Sequence, residues 1–249
     1  MPEFKVSLVT VSFNAASTIE RCIKSVISQD FNNFEYIIID GGSTDETIEI
    51  INQYREHISI FISEPDKGIY DAMNKGIAFA SGDVIGTLNA DDFFASNAIL
   101  SSVASVFSDQ DIDILYGNLD YINYNETIKR KWRTRAYKRG LYNWGWMPPH
   151  PTFYCKKELF EKFGYYRLDH GTAADYELML RFMHRNYTKA AYLNKVMIKM
   201  QCGGLSNKNP TNRVKAWRFD LKAMRSNGVL YPLIALILKP LRKIGQYLS

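Results

Sequence analysis

From residue 5 to residue 92 the chain alternates β-branched apolar runs with amphipathic segments, and each apolar run ends on a polar side chain. Residues 5–12 read as a strand. The helix that follows opens at the capping box Ser17-x-x-Glu20, and its Ile19, Cys22, Ile23, Val26 and Ile27 recur at helical spacing. Residues 35–40 (EYIIID) read as a buried strand. Gly41, Gly42 and a second capping box, Ser43-x-x-Glu46, then lead into a helix through Ile51. Residues 58–62 make a third strand, an Ala/Met/Lys helix runs from the turn at Pro65, Asp66 and Gly68 to about residue 80, and residues 84–88 make a fourth strand. A βαβαβαβ order predicts an α/β fold with a mostly parallel sheet and helices on both faces. Such sheets bind ligands where the carboxyl ends of their strands turn into loops.

Those ends carry Asn14, then Asp40, then Glu64 and Asp66, then Asn89, Asp91 and Asp92. One Asp or Asn after a strand is an ordinary turn or cap residue. Four successive strand ends delivering carboxamides or carboxylates to one edge indicate a binding site. The sequence has neither G-x-x-x-x-G-K-[ST] nor G-x-G-x-x-G, so phosphates bound there need another counter-charge. Asn89-Ala90-Asp91-Asp92 supplies hard oxygen ligands suited to Mg²⁺ or Mn²⁺, few enough to leave coordination positions for phosphate and water.

With 249 residues, 46% of them hydrophobic, the chain can bury a full core without staples. Its three cysteines, Cys22, Cys155 and Cys202, fit neither a disulfide framework nor a zinc site, which predicts a reducing, cytosolic setting. In that setting the Asn-x-Thr sequons at Asn125 and Asn186 read as chance. The net charge of +5 divides unevenly: residues 129–139 hold seven basic side chains and no acid, and residues 207–249 hold nine against Asp220 alone. The remaining body is acidic. This division argues against nucleic acid gripped over the whole surface and for phosphate-bearing or membrane-surface partners at two places. Neither a secretory signal nor a spanning segment is visible, because the longest apolar stretch, residues 229–238, is too short and contains Pro232. Joined to Lys239, Arg242 and Lys243, the stretch over residues 229–249 reads as an interfacial anchor, or as a helix packed on the protein or on a second subunit.

Five segments together resemble the inverting glycosyltransferases of family 2, which have the GT-A fold. They are VTVSFN (9–14), IIIDGGSTDET (37–47), EPDKGIYDAMNKGIAFASGD (64–83), LNADD (88–92) and HGTAADYELMLR (170–181). The resemblance is nearest to bacterial enzymes that build lipopolysaccharide, capsule or exopolysaccharide. It implies a donor-binding half over residues 1–128, an acceptor half with the catalytic base over 129–206, and a basic helical tail over 207–249. It further implies a nucleotide-sugar donor, a lipid-linked or polysaccharide acceptor, Mn²⁺ or Mg²⁺ as cofactor, and work at the inner face of the cell membrane, with a homo-oligomer possible and no nucleic acid as partner. Thr10 and residues 12–14, Ser12 and Asn14 among them, would flank the nucleotide base, and Asp40 would accept a hydrogen bond from it, with uracil the first expectation. Asp66 and Lys75 would line the sugar-diphosphate cleft. Asp91 would contact ribose or metal, and Asp92 would be the principal metal ligand. In two places the chain departs from the family pattern: Gly41 stands where many relatives have a second Asp, and Asn89 replaces the first acid of a D-x-D-D run.

Transfer with inversion needs a base on the face opposite the leaving diphosphate. The resemblance assigns that role to Asp175, with Ala174 in place of the customary Glu. On the acceptor side, Trp144 and Trp146 offer rings for sugar stacking, and His150 resembles the polar residue of a proline-flanked motif. Residues 202–206 (CGGLS) resemble a loop that closes over the diphosphate. Two other readings share the sheet. A sugar nucleotidyltransferase would normally carry a glycine- and basic-rich loop near its start, which VTVSFNAAST lacks; a non-catalytic membrane- or RNA-binding module would use the basic segments alone.

Overall fold

The computed structural model describes residues 4–123, 125–202 and 210–247, the last segment without the side chains of 210–213 and 247. Its nine strands form one sheet in the order β3-β2-β1-β4-β8-β6-β9-β5, with β7 added beside β6. The first half follows the predicted alternation: β1 (Val6–Ser12), α1 (Ile19–Ile27), β2 (Phe34–Asp40), α2 (Thr47–Asn52), β3 (Ile60–Ser63), α3 (Ile69–Phe79) and β4 (Val84–Asn89). All neighbours within β3-β2-β1-β4 are parallel. In the second half β8 (Tyr154–Lys156) runs antiparallel to both β4 and β6 (Ile114–Ile122), while β9 (Ala190–Gln201) lies parallel to β6. β5 (Phe93–Phe94) pairs with β9, and β7 (Ile128–Trp132) closes a hairpin on β6.

Alternation along the strands sorts their side chains onto two faces. Val9, Val11, Ile37 and Ile39 face α3 and the second half of the chain, whereas Leu8, Tyr36 and Ile38 face α1, α2 and α4 (Ile99–Asp109). Each fully buried aliphatic side chain here contributes about 1.5–3 kcal/mol. Gly76 lets α3 settle against the sheet, since a Cβ there would run into the Val9 side chain. β1 is flanked by β2 on one side and β4 on the other, so the strand order reverses beside it, and the carboxyl ends of β1 and β4 mark the switch point at which such folds hold ligands.

Neither capping box forms. The first residue inside α1 is Ile19, capped at Thr18 without a side-chain bond, and α2 begins at Thr47. The side chains around residues 43–47 instead reach across to the β1 loop: Ser43 Oγ accepts from Asn14 N at 2.8 Å, Thr47 Oγ1 from Ala15 N at 2.8 Å, and Asp45 Oδ2 from Ala16 N at 3.1 Å. Tying two loops together outweighed capping their own helices.

The carboxyl-terminal region is α7 (Pro210–Ser226), α8 (Pro232–Leu241) and a short 3-10 turn, Ile244–Tyr247. These elements pack on residues 128–179. A Cβ at Gly145, whose φ is +72°, would lie 2.6 Å from Lys239 N and 2.7 Å from Ala235 O, so α8 seats directly on that turn. Among the described residues no helix is long and apolar enough to cross a membrane.

Candidate active site

At the ends of β1 and β2 the structure builds a sealed hydrogen-bond knot. Asp40 is fully buried and accepts from Ser12 Oγ (2.9 Å), Ser63 Oγ (2.8 Å), Ser43 Oγ (2.5 Å), Ser43 N (2.8 Å) and Gly42 N (3.1 Å). Burial pushes its carboxyl up, but the Ser43, Ser63 and Ser12 donors outweigh it and hold the group below the ordinary aspartate value. Thr10 is equally buried and shares its hydroxyl with Tyr36 and Cys22. The side chains of Thr10, Ser12 and Asp40 are therefore enclosed within the edge and bonded to one another's loops and neighbours. Asn14 holds a φ of +47° and accepts from Thr44 N at 2.9 Å, pinning the two loops.

What faces outward is different. Phe13 is 64% exposed. A Cβ at Gly41 would lie 2.6 Å from Asp66 Oδ2 and 3.4 Å from the Phe13 ring, so the missing side chain leaves room that Asp66 occupies. Gly68 N donates to Asp66 Oδ1 at 2.7 Å and orients it. Lys75 pairs with Glu64 at 2.8 Å and donates to Pro65 O at 3.2 Å, which makes it a brace for the Asp66 loop as well as a nearby positive charge.

After β4, Asn89 Nδ2 donates to Asp92 Oδ2 at 3.2 Å. Asp92 Oδ1 and Asn89 Oδ1 are both buried with no hydrogen-bond partner. Burial, and then the charge of Asp91, push the Asp92 carboxyl well above the ordinary range; burial also raises Asp91, against the charges of Arg21 and His150. Orphaned oxygens beside two carboxylates suit a hard divalent cation. No group of three or more His, Cys, Asp or Glu side chains converges among the described residues, so Asn89, Asp91 and Asp92 would hold a metal only with phosphate and water completing its shell. Sequence reasoning missed Arg21, which stacks on Phe93 at 4.3 Å and donates to Asp91 O at 3.4 Å and to Gln201 Oε1 at 3.1 Å. Its place on the outer turn of an amphipathic helix gave no signal.

Asp175 comes from the second half of the chain. It lies in the first turn of α6 (Ala174–Met179), is not the cap residue, and its Oδ2 is 3.2 Å from His150 Nδ1. The charge of His150 also acts, weakly, on Asp91. Tyr70, also missed, has a hydroxyl pushed well above its ordinary range by burial and then by the charge of Asp175. Glu177 is fully buried and bonded to Arg181 Nη2 at 2.9 Å and Asn227 Nδ2 at 3.2 Å, a structural ion pair rather than a base. Trp144 is 49% exposed, beside Tyr231. Trp146, expected to offer a ring to sugar, is buried among Tyr116, Tyr137 and Tyr142, because the Gly145 turn sends it inward. Of the CGGLS segment, residues 203–206 lie outside the described residues.

The family model for glycosyl transferase family 2 matches residues 7–194. The uncharacterized glycosyltransferase Rv1514c of Mycobacterium tuberculosis is 34% identical over 181 residues, covering 71% of this chain and 68% of its own. The Escherichia coli UDP-Glc:alpha-D-GlcNAc-diphosphoundecaprenol beta-1,3-glucosyltransferase WfgD is 30% identical over 129 residues, 51% of each chain. Among solved structures, the mannosyltransferase PcManGT from Pyrobaculum calidifontis, in complex with GDP-Man and Mn²⁺, superposes with a TM-score of 0.67 at 16% identity, covering 94% of this chain and 72% of that one. A match that runs from β1 into β9 takes in both the strand-end carboxylates and Asp175, and on that ground the chain belongs to glycosyl transferase family 2 and is a glycosyltransferase of the GT-A fold.

Proposed function

We propose that the protein transfers a sugar with inversion from a UDP-sugar to a lipid-linked acceptor in cell-surface glycan synthesis, working at the cytoplasmic face of the membrane with Mn²⁺ or Mg²⁺. The observation that carries this reading is the position of His150, which lies 3.2 Å from Asp175 while its charge also acts on Asp91, as a base set near a diphosphate site would require. The activity of WfgD, which uses UDP-Glc as donor and a diphosphoundecaprenol-linked acceptor, and the Mn²⁺ in the PcManGT complex support it.

In this reading Phe13 offers its exposed ring to the nucleotide base and Asp66 accepts from a base N–H. Asn89, Asp91 and Asp92 are the residues that would hold the cation, and a bound cation would supply counter-charge for a diphosphate leaving group. Asp175 takes the proton from the acceptor hydroxyl as its oxygen forms the new bond to the anomeric carbon. The bond from that carbon to the diphosphate oxygen breaks, and its electron pair leaves with the nucleoside diphosphate. One displacement from the opposite face inverts the anomeric centre.

The test is Asp175→Asn. Turnover is expected to fall about 10²–10⁴-fold, the usual contribution of a positioned base, while the affinity for UDP stays within a few-fold. Near-normal turnover would remove Asp175 from the mechanism, and pyrophosphate as product would replace transfer by nucleotidyl chemistry.

A further inference from the structure

The two basic segments, about a hundred residues apart in sequence, line one cavity of about 360 Å³ on the acceptor side. Lys131, Arg133 and Arg135 enter from the strand-and-loop segment after β6, and Lys239, Arg242 and Lys243 enter from α8 and the turn beyond it; no acidic residue lines the cavity. Two of the six cations are paired on their outer sides, Arg133 with Asp120 at 2.6 Å and Lys239 with Asp220 at 2.7 Å. Arg242 Nε donates to Trp144 O at 2.8 Å. The side chains of Lys131, Arg135 and Lys243 make no hydrogen bond or ion pair with any described residue. Lys243 is held below the ordinary lysine value by burial and by its cationic neighbours Lys239 and Arg130, only partly offset by Asp220 and Asp175. Packing like charges around a partly enclosed space is unfavourable unless an anion enters it.

The position of the cavity says which anion. Trp146 and Met147 form its floor, on the same short turn that carries His150 to Asp175. Lys239 Nζ sits 3.6 Å over the ring of Tyr176, the neighbour of Asp175. Lys243, which lines the cavity, also feels the charge of Asp175, so an anion held there lies within electrostatic reach of that carboxylate. On the outer surface of α8 and its following turn, Leu233, Ile234, Ile237, Leu241 and Ile244 are all exposed, at spacings that place them on one stripe of the helix. An apolar stripe bordered by lysine and arginine lies flat in a membrane interface.

Resting on the lipid-linked acceptor reading above, we propose that this cavity binds the diphosphate of a membrane-embedded lipid diphosphate, with the exposed stripe of α8 lying along its hydrocarbon chain. The acceptor sugar then extends from the diphosphate toward Asp175. A volume of this size accommodates a diphosphate and one sugar ring.

Sedimentation of the full chain with vesicles tests this. Phosphatidylcholine vesicles carrying a few mole per cent of undecaprenyl diphosphate are compared with vesicles of equal surface charge made with phosphatidylglycerol. The wild type is expected to prefer the diphosphate lipid. Lys131→Gln/Arg135→Gln/Lys243→Gln is expected to lose about a hundred-fold in affinity, each cation contributing several-fold, while Lys215→Gln/Arg218→Gln on the exposed side of α7 binds as wild type. Matching melting curves verify that the triple variant is folded. Equal retention on phosphatidylglycerol, or wild-type binding by the triple variant, overturns the proposal. So does full displacement by an equal concentration of inorganic pyrophosphate, which would mark a free-phosphate site, or by a short single-stranded RNA. Titration of UDP with Mn²⁺ into the wild type tests the donor reading separately, so either can fail without the other.

Discussion

Gly41 and Asp66 share one volume: the point where a Cβ would sit on Gly41 is 2.6 Å from Asp66 Oδ2, beside the exposed Phe13 ring. A carboxylate from the loop after β3 thereby occupies the space that a second Asp after β2 would fill. Gly41→Ala should push Asp66 aside and weaken UDP binding about ten-fold, or about 1.4 kcal/mol, with little change in melting temperature. Asp66→Asn should weaken it by a similar factor. Calorimetric titration of both variants checks the pair; unchanged affinity in both would remove Asp66 from base recognition.

His150 touches Asp175 through Nδ1, and in the proposed reaction it positions that carboxylate. His150→Gln should lower kcat about ten-fold, while KM for the donor and the melting temperature change little. A purely structural role would lower the melting temperature and leave kcat of the folded fraction in place.

Asn89 relieves a conflict that an acid would create, because its Nδ2 donates to Asp92 Oδ2. Asn89→Asp puts two buried carboxylates face to face. The metal-free variant should melt below wild type, and saturating Mn²⁺ should raise its melting temperature by more than it raises that of wild type.

Glu35 supplies a pH signature far from the chemistry. It accepts from Ser7 Oγ (2.5 Å), Ser81 Oγ (2.7 Å) and Ser81 N (2.5 Å), and it pairs with Lys5 at 3.0 Å. Burial pushes its carboxyl up, but these donors overcome that and bring it from 4.5 down to about 2. A depressed carboxyl stabilises the fold fully above the unfolded value and loses that contribution as pH falls toward the folded value. The melting-temperature gap between wild type and Glu35→Gln should be widest at neutral pH and close between 4.5 and about 2. A gap independent of pH would refute the linkage.

Arg181 binds Glu177 and also donates to the carbonyls of Phe163, Gly164 and Tyr165, closing the end of α5 (Glu158–Phe163). Removing one partner strands the other in the interior. Glu177→Ala should cost about 3–5 kcal/mol in chemical denaturation, whereas exposed Glu161→Ala should cost under about 1 kcal/mol.

The strands β1, β2 and β4 and the helix α3 were legible because their apolar period depends only on local sequence. The gathering of polar residues at their ends was legible too, but not which of them face outward. Asp40 is sealed by Ser12, Ser43 and Ser63, which come from three different loops, and no local pattern announces that they converge. Trp146 turns inward for a similar reason: its direction is set by Gly145 meeting α8, a contact across some ninety positions of chain. The strands after residue 110 escaped reading because β6, β8 and β9 pair out of sequence order, with bulges where β9 meets β6. Asp175 was legible by resemblance; its partnership with His150 needed the fold.

The fit of α8 against Gly145 bears on how this enzyme can change its acceptor. A single added methyl at residue 145 would collide with the α8 backbone at Lys239 and Ala235, so the turn leading to His150 and the carboxyl-terminal helix form one mechanical part. Grafting a new acceptor loop without its helix, or a new membrane-facing helix without its loop, would leave surfaces that no longer mate. In the diversification of such enzymes these two segments should be inherited as a pair, while the donor sheet stays behind as common stock.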